Sequence, residues 1–545
     1  MIRRGTHRLA SLLPSRSDYA QLPRTWRGDI IAGLTVGIVA LPLALAFGVS
    51  SGAGAEAGLV TAIVAGFVAG IFGGSHIQVS GPTGAMVVVL GPVIAAHGLK
   101  ALAVVTLMAG VIVIVAGALR LGRAVGAIPW PVIEGFTAGI AIIIFLQQVP
   151  SALGIRVGGH GSNAVLAGWQ SVRDATPAGA WPTLLIVTVV AAVMLAAPRL
   201  SPRLPGSILA IVGVTVVTSM MHVDVATIGE LPAGLPLPLI PSIGLGTAAS
   251  LVGPALTIAA LAAIESLLSA RVAASLSDTG PYDADRELVG QGLASVASSF
   301  FGGMPATGAI ARTAVNVRTG GRTRFATIVH AASLLVIATA ASTLVSGIPL
   351  AALSGVLMVT AVRMVPRRAV VTVVRASRQN AIVFTLTAIV TVSVDLIYAV
   401  AIGFAAAALF ALRALSRSAG VHREEIPGPA VPGDDQIALF RIDGALFFGA
   451  AERVMERVAS IQGVHVVILR MSQVQLMDST GAQVLTELVT GLERRGVTVL
   501  VKGIQPQHLE LARRVGVLRA LRDESHVYED LASAVEHARS HVAAD

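Results

Sequence analysis

Two short runs in this 545-residue chain hold the residue types of an anion site. Phe72-Gly73-Gly74 leads into Ser80-Gly81-Pro82-Thr83-Gly84-Ala85, and Phe301-Gly302-Gly303 leads into Pro305-Ala306-Thr307-Gly308-Ala309. Both break strongly apolar sequence with Gly and Pro, and both resume it from Thr-Gly-Ala. A helix that starts within a membrane presents unpaired N–H groups and the positive end of its dipole, which suit an anion. Broken spans in matching halves of a membrane protein are a sequence pointer to a transporter's binding site. Thr83, Gly84, Ala85, Thr307, Gly308 and Ala309 are therefore candidate substrate contacts, glycine allowing close backbone approach. The competing reading is that these are packing glycines, common in membrane helices. Glu265 stands mid-span in an apolar run, where a charge is costly and marks function by default. It either carries a coupling proton or makes a structural hydrogen bond to the gap between half-helices. Arg312 lies about one turn beyond Thr307. Its guanidinium either contacts an oxyanion or partners Glu265.

The elements that must position these residues are membrane spans. The chain is 54% hydrophobic and 13% charged, with a mean hydropathy of +0.79, whereas soluble proteins are about 25% charged. Residues 29–416 carry most of the apolar excess, and residues 421–545 have the charge density of a soluble domain. Cysteine is absent, which excludes disulfides and Cys-ligated metals; no cofactor and no metal site is expected. The formal charge of +9 is not read as nucleic-acid binding, because the basic residues follow membrane topology. Residues 1–28 are Arg-rich and lack a signal-peptide pattern, so they read as a cytoplasmic N-terminus.

Span starts are expected near Ile30, Gly58, Ala85, Leu102, Val132, Pro182, Gly206, Leu251, Val289, Ala309, Ala326, Ala351, Ala381 and Asp395. That is about fourteen, with the third and tenth short. Arginines cluster after even-numbered spans, as at Arg120 and Arg123, Arg199 and Arg203, and Arg363, Arg367 and Arg368. After odd-numbered spans basic residues are sparse: Lys100, Arg156 and Arg173. The positive-inside rule then puts both termini in the cytoplasm. The Pro-rich stretch 222–249 separates halves of about 29–221 and 250–416. Seven spans per half is an odd number, so the halves insert as inverted repeats. After a linker at 417–434, the tail alternates strands (Ile437–Ile442, Val464–Arg470, Val497–Lys502) with helices (Ala450–Ile461, Thr480–Arg494, Pro506–Val515, Tyr528–His541), which is α/β patterning.

Several motifs together resemble one family. Asp29-Ile-Ile-Ala-Gly-Leu-Thr-Val-Gly with Leu41-Pro42-Leu43-Ala44-Leu45-Ala46-Phe47-Gly48 resembles the first span of sulfate permease (SulP) family anion transporters. Ser80–Ala85 resembles the start of their third span, Ile264-Glu265-Ser266-Leu267-Leu268-Ser269-Ala270 their eighth, and Arg286–Ala294 with Phe301-Gly-Gly-Met-Pro their ninth and the approach to the tenth. Met471–Gly481 resembles the core of a STAS domain, the usual cytoplasmic tail of these transporters. The resemblance implies a seven-plus-seven inverted repeat. A core domain (spans 1–4 and 8–11) moves like an elevator past a gate domain (spans 5–7 and 12–14), in a homodimer.

The resemblance also implies roles. Phe47 edges the substrate site, with Pro42 on the same span, while Ala40 and Leu43 make that wall more apolar than in some relatives. Glu265 and Ser269 sit where some members hold sodium. The further hydroxyl ligand falls here on Ile310, which cannot ligate a hard cation, so a proton is favoured over sodium. Ser479 follows the Asp of the STAS motif, where stand-alone STAS proteins are phosphorylated; otherwise Asp478 and Ser479 only cap a helix. A cytoplasmic protein partner of the STAS domain is also implied. Glu134 and Asp395 read as interfacial.

The expected function is therefore not enzymatic. It is secondary active transport of a small anion (bicarbonate, sulfate or a dicarboxylate) by proton symport in a bacterial inner membrane. The alternatives are a nucleobase-type proton symporter, or an anion channel or regulatory protein acting through its STAS domain.

Overall fold

The computed structural model describes residues 12–544, apart from 126–127, 156–163, 202–204, 230–233, 243, 366, 395, 419, 448–457, 459 and 524. The chain divides into two compact units, residues 1–404 and 405–545.

The first unit is helical. Its principal helices are α1 (Leu22–Ser50), α2 (Ala55–Phe72), α3 (Gly84–His97), α4 (Lys100–Ala118), α5 (Trp130–Ala152), α6 (Pro177–Leu200) and α7 (Gly206–Met220), then α8 (Val252–Leu276), α9 (Ala284–Phe300), α10 (Ile310–Arg318), α11 (Arg324–Ala340), α12 (Leu350–Met364) and α13 (Arg378–Ser393); α14 (Leu396–Ser418) runs across the boundary at residue 404. Two strands, β1 (Ser80–Gly81) and β2 (Thr307–Gly308), precede α3 and α10. By length and apolar content, eight described helices can cross a membrane. α1 begins at Leu22, ahead of the expected Ile30, because a proline in its first turn starts the helix before the apolar run does.

α3 has 14 residues and α10 has 9. At about 1.5 Å per residue, neither covers the roughly 30 Å hydrocarbon core alone. Both are therefore half-helices that start at depth.

Packing sorts the helices into two groups. α1, α2, α4, α8, α9 and α11 pack chiefly on one another, with α3 and α10 against α8; α5, α6, α7, α12 and α13 form the other group. Lipid offers no hydrophobic drive for helices to associate, so close backbone approach matters. At the α4–α9 crossing, a Cβ on Gly110 would lie 2.8 Å from the Gly292 carbonyl oxygen, and one on Gly292 would lie 2.6 Å from that of Gly110. Only glycine fits on either side.

The second unit holds a five-stranded sheet in the order β3 (Gly420–Glu424), β4 (Ile437–Leu446), β5 (Val466–Met477), β6 (Thr498–Lys502) and β7 (Val527–Tyr528). β3 runs antiparallel to β4, and the other neighbours are parallel. Alternate side chains bury on opposite faces. Phe440, Leu469 and Val499 join one core with α15 (Ser479–Arg494) and α16 (Pro506–Val515). Leu439, Ile468 and Leu500 join another with α17 (Leu531–Ala544).

Two tail expectations change. β3 lies inside the stretch read as the linker 417–434. Only Val421 of it is buried, the pattern of a charged edge strand that apolar alternation misses. Tyr528 belongs to β7, paired with Lys502, and the helix begins at Leu531 instead. The expected helix Ala450–Ile461 lies mostly outside the described residues, as does Asp395.

Candidate anion-binding site

The two Thr-Gly-Ala runs meet. β1 and β2 pair antiparallel, Ser80 opposite Gly308 and Gly81 opposite Thr307. From this two-residue ribbon the chain leaves in opposite directions into α3 and α10, so two helix starts flank one point. Thr83 and Ala309 are the N-cap residues, and neither helix has a side-chain cap. The first backbone N–H groups of a helix have no partner within it. These ends therefore offer donors and positive dipole ends to an anion.

The second lip differs from the expected cradle. The Gly308 N–H donates to Ser266 Oγ (3.1 Å), and the Ala309 N–H to the Val79 carbonyl (2.8 Å). Ribbon pairing uses the Ala309 donor, and Ser266 of α8 takes that of Gly308. On this side the open helix-start donors belong to the first turn of α10, from Ile310 to Arg312. On the first side they follow Thr83, at Gly84 and Ala85, both buried.

α8 supplies the floor. Ala262, Glu265, Ser266 and Ser269 fall on one helix face at three- and four-residue spacing. The Thr83 hydroxyl donates to Glu265 Oε2 at 2.7 Å. Thr307 Oγ1 lies 2.8 Å from Ser266 Oγ and 3.3 Å from the Ala262 carbonyl. Ser269 Oγ lies 3.4 Å from Thr313 Oγ1. Thr313 is a hydroxyl of α10 that sequence reading passed over in favour of Ile310. Ile310 itself is 38% exposed, at the start of α10. Phe47 is buried beside Gly84, where a Cβ would lie 3.5 Å from the Phe47 ring; Ile144 of α5 closes the other side.

Arg312 is 2% exposed. Its Nη2 donates to the Pro82 carbonyl, and its Nη1 has no hydrogen-bond partner among the described residues. No ion pair joins it to Glu265 among those residues. Gly81 makes room for the guanidinium, since a Cβ there would stand 2.5 Å from Nη1.

A second layer holds the lips. Glu287 Oε2 accepts from the Gly74 and Ser75 N–H groups (2.8 and 2.9 Å), and its Oε1 accepts from Gln78 and Gln291 (2.9 and 2.8 Å). Gln291 also reaches Ser80 Oγ at 2.5 Å. Asn316 donates to the Ile77 carbonyl (2.7 Å), and the Val79 N–H donates to Thr313 Oγ1 (3.0 Å). On the other side the Met304 N–H donates to Thr61 (2.6 Å), and the Ala306 N–H to Ser295 (3.1 Å). Sequence reasoning missed Glu287 because an acid in a helix's first turn is ordinarily a dipole partner at the surface.

Elsewhere, Ser479 is exposed on the first turn of α15, and Asp478 alone caps that helix, accepting from the Gly481 N–H at 2.7 Å. Glu134 accepts from Trp130 Nε1 at 2.9 Å on an exposed helix face.

Residues 26–387 match the sulfate permease family and residues 428–534 the STAS domain. The chain belongs to the sulfate permease family. It is 35% identical to YvdB of Bacillus subtilis, named as a candidate sulfate transporter, over 90% of this chain and 94% of that protein. It is 32% identical to the bicarbonate transporter BicA of Synechocystis, over 94% of both. The solved transmembrane domain of a cyanobacterial BicA superposes with a TM-score of 0.63 at 33% identity, covering 69% of this chain and 98% of that one. Murine solute carrier 26 family member A9, an anion transporter solved in its inward-facing state, shares the fold at a TM-score of 0.84 and 19% identity, covering 98% of this chain and 94% of that one. Sulfate permease members named here are transporters, and this chain is a multi-pass membrane transporter rather than an enzyme.

Proposed function

We propose that this protein is a secondary active transporter of a small oxyanion of the sulfate and bicarbonate class, coupled to protons through Glu265. The observation that carries the reading is the meeting of two uncapped helix starts beside a buried guanidinium that keeps one nitrogen free. An oxyanion presents acceptors on several sides, so it takes donors from both lips at once.

Thr83 is the link between anion and proton. An ionised Glu265 must accept from the Thr83 hydroxyl, as it does here. A protonated Glu265 donates instead, which frees the Thr83 hydrogen for the anion. A carboxylate and an anion at one site repel, so proton and anion enter together. The site lies on the helix group that carries α8, α3 and α10, next to α5 of the other group through Ile144. Sliding the first group past the second would carry the site across the membrane. The arginine distribution puts both termini, and so the STAS domain, in the cytoplasm of a bacterial cell.

The test is uptake of labelled sulfate and bicarbonate into proteoliposomes under an imposed pH gradient. Saturable, gradient-driven uptake that does not need sodium is expected, and Glu265→Gln abolishes the drive while leaving the unfolding temperature unchanged. Full gradient dependence in that variant would refute the coupling role. Non-saturating flux would identify a channel, and uracil uptake a nucleobase carrier.

A further inference from the structure

Three histidines meet in the second unit, far in sequence from the transport residues. His526 lies just before β7; His537 and His541 are one turn apart on α17 and share its face. One ligand atom from each lies within 4.8 Å of the other two. The ring centroids are 5.3 Å apart for His526 and His537, 5.5 Å for His526 and His541, and 4.7 Å for His537 and His541.

The backbone fixes one corner of this cluster. The Val501 N–H donates to the His526 carbonyl at 2.8 Å, and the His526 N–H donates to the Asp523 carbonyl at 3.1 Å. His526 is 4% exposed, and its buried Nδ1 has no partner among the described residues. The other corners are set by α17, whose Ala534, Val535 and Ala538 pack on Leu439, Ile468 and Leu500 of the sheet.

Edge-to-face packing of the three rings accounts for part of this arrangement, but not for the choice of imidazole. A core gains nothing from imidazole over an apolar ring, since buried polar nitrogens need partners. Yet His537 Nε2 and His541 Nε2 point at each other across 3.1 Å, where at most one hydrogen fits between them. Ring nitrogens from three imidazoles lie together, and once that shared hydrogen is lost or moved to the far nitrogen they match the donor set of a metal ion.

We infer that His526, His537 and His541 form a three-histidine site for a divalent transition metal, with zinc the natural probe. Zn–N bonds of about 2.0–2.1 Å in tetrahedral geometry need nitrogens roughly 3.4 Å apart. Small side-chain rotations bring the three into that range. Imidazole suits zinc, copper and nickel, whereas magnesium and calcium need oxygen ligands that this cluster does not supply. His537 and His541 are half-buried, so the fourth position opens to water. A bound ion would tie α17 to the β7 edge of the sheet, and ligand binding to the folded form stabilises that form.

The experiment uses the full chain in detergent, purified without a polyhistidine tag and stripped with chelator. After incubation with zinc and desalting, elemental analysis is expected to find one zinc per chain. Cobalt is expected to give the visible absorption of a four-coordinate site. His541→Gln, which leaves the buried ring in place, abolishes zinc retention and the cobalt band, as does His526→Gln; His508→Gln on α16 retains both. Circular dichroism confirms that each variant is folded. A folded His541→Gln protein that holds as much zinc as the parent, or a parent that retains none, overturns the assignment.

Discussion

The segment before Thr83 is held by a carboxylate, whereas the segment before Thr307 is held by hydroxyls. Glu287 gathers four N–H donors, from Gly74, Ser75, Gln78 and Gln291. Its counterpart approach, residues 303–306, hangs from Thr61, Ser295 and Ser298, which accept from or donate to the backbone. The first lip carries no charge of its own and borrows one, because Arg312 of the second lip reaches across to the Pro82 carbonyl. One repeat thus supplies the cation of the site and the other the frame that receives it. Inverted repeats share a backbone plan, while each half is free to specialise in side chains.

The largest expected effect follows from that difference in anchoring. Glu287→Ala strands four donors in a buried site, and breaking a buried charged network costs about 3–5 kcal/mol. Little monodisperse protein is expected by size-exclusion chromatography. Ser298→Ala removes one hydroxyl contact to the Met304 carbonyl (2.9 Å) and is expected to cost about 1 kcal/mol, seen as a small drop in unfolding temperature. Equal losses would mean that the two frames are equivalent after all.

The borrowed charge gives the next effect. Arg312→Lys keeps the cation but loses the planar fork that spans Pro82 and the free Nη1 position. Oxyanion affinity is expected to fall roughly 10–100-fold, the range for a hydrogen bond to a charged group, with folding retained. Gly81→Ala should act in the same direction, because its Cβ occupies the guanidinium's place. Equilibrium binding of sulfate and bicarbonate reads both variants. Unchanged affinity in both would remove Arg312 from the site.

The two broken spans were legible in the sequence, because Gly and Pro inside apolar runs announce a break whatever its neighbours are; the ribbon that pairs them was not. Glu265 was legible for the same reason, as a charge in an apolar stretch. Glu287, Gln291, Asn316 and Thr313 were not. Each sits in a polar-rich helix, α9 or α10, where such residues ordinarily face solvent, and only the tertiary fold turns them toward residues 74–80. Local sequence also could not show that Gly308 and Ala309 spend their N–H groups on Ser266 and on the Val79 carbonyl, since both partners lie on other elements. The edge strand β3 escaped because one inward residue in five makes no pattern. The three histidines escaped because His526 and the His537–His541 pair lie on separate elements.

The last expected effect concerns a brace found, among the described residues, at the first lip. Arg324 donates to the Ile71 carbonyl (3.3 Å) and to that of Gly73, at the entry to the first lip, and lies 3.7 Å from Asp18. Asp18 also takes both arms of Arg286, at 3.0 and 2.6 Å, and the Ser15 N–H at 2.8 Å. Burial opposes the Asp18 charge, but the Arg286 fork, the Ser15 N–H and the charges of Arg324 and Arg286 outweigh it and hold the carboxyl at about 2, against 3.8 ordinarily. A carboxyl lowered in the folded state stabilises it fully above the unfolded value and stops doing so as pH falls through the folded one. The brace is therefore constant from neutral pH down to about 4 and is lost progressively between about 4 and 2. It contributes about 2 kcal/mol. Asp18→Asn should speed hydrogen exchange at residues 15–19 and 71–75 at neutral pH, and the difference from the parent should vanish near pH 2. Exchange at residues 303–306 should change less, because among the described residues that lip has no direct hydrogen bond or ion pair to Asp18 or Arg324. An equal response there would show that the two lips move as one body, and the contrast between them would then be one of chemistry alone.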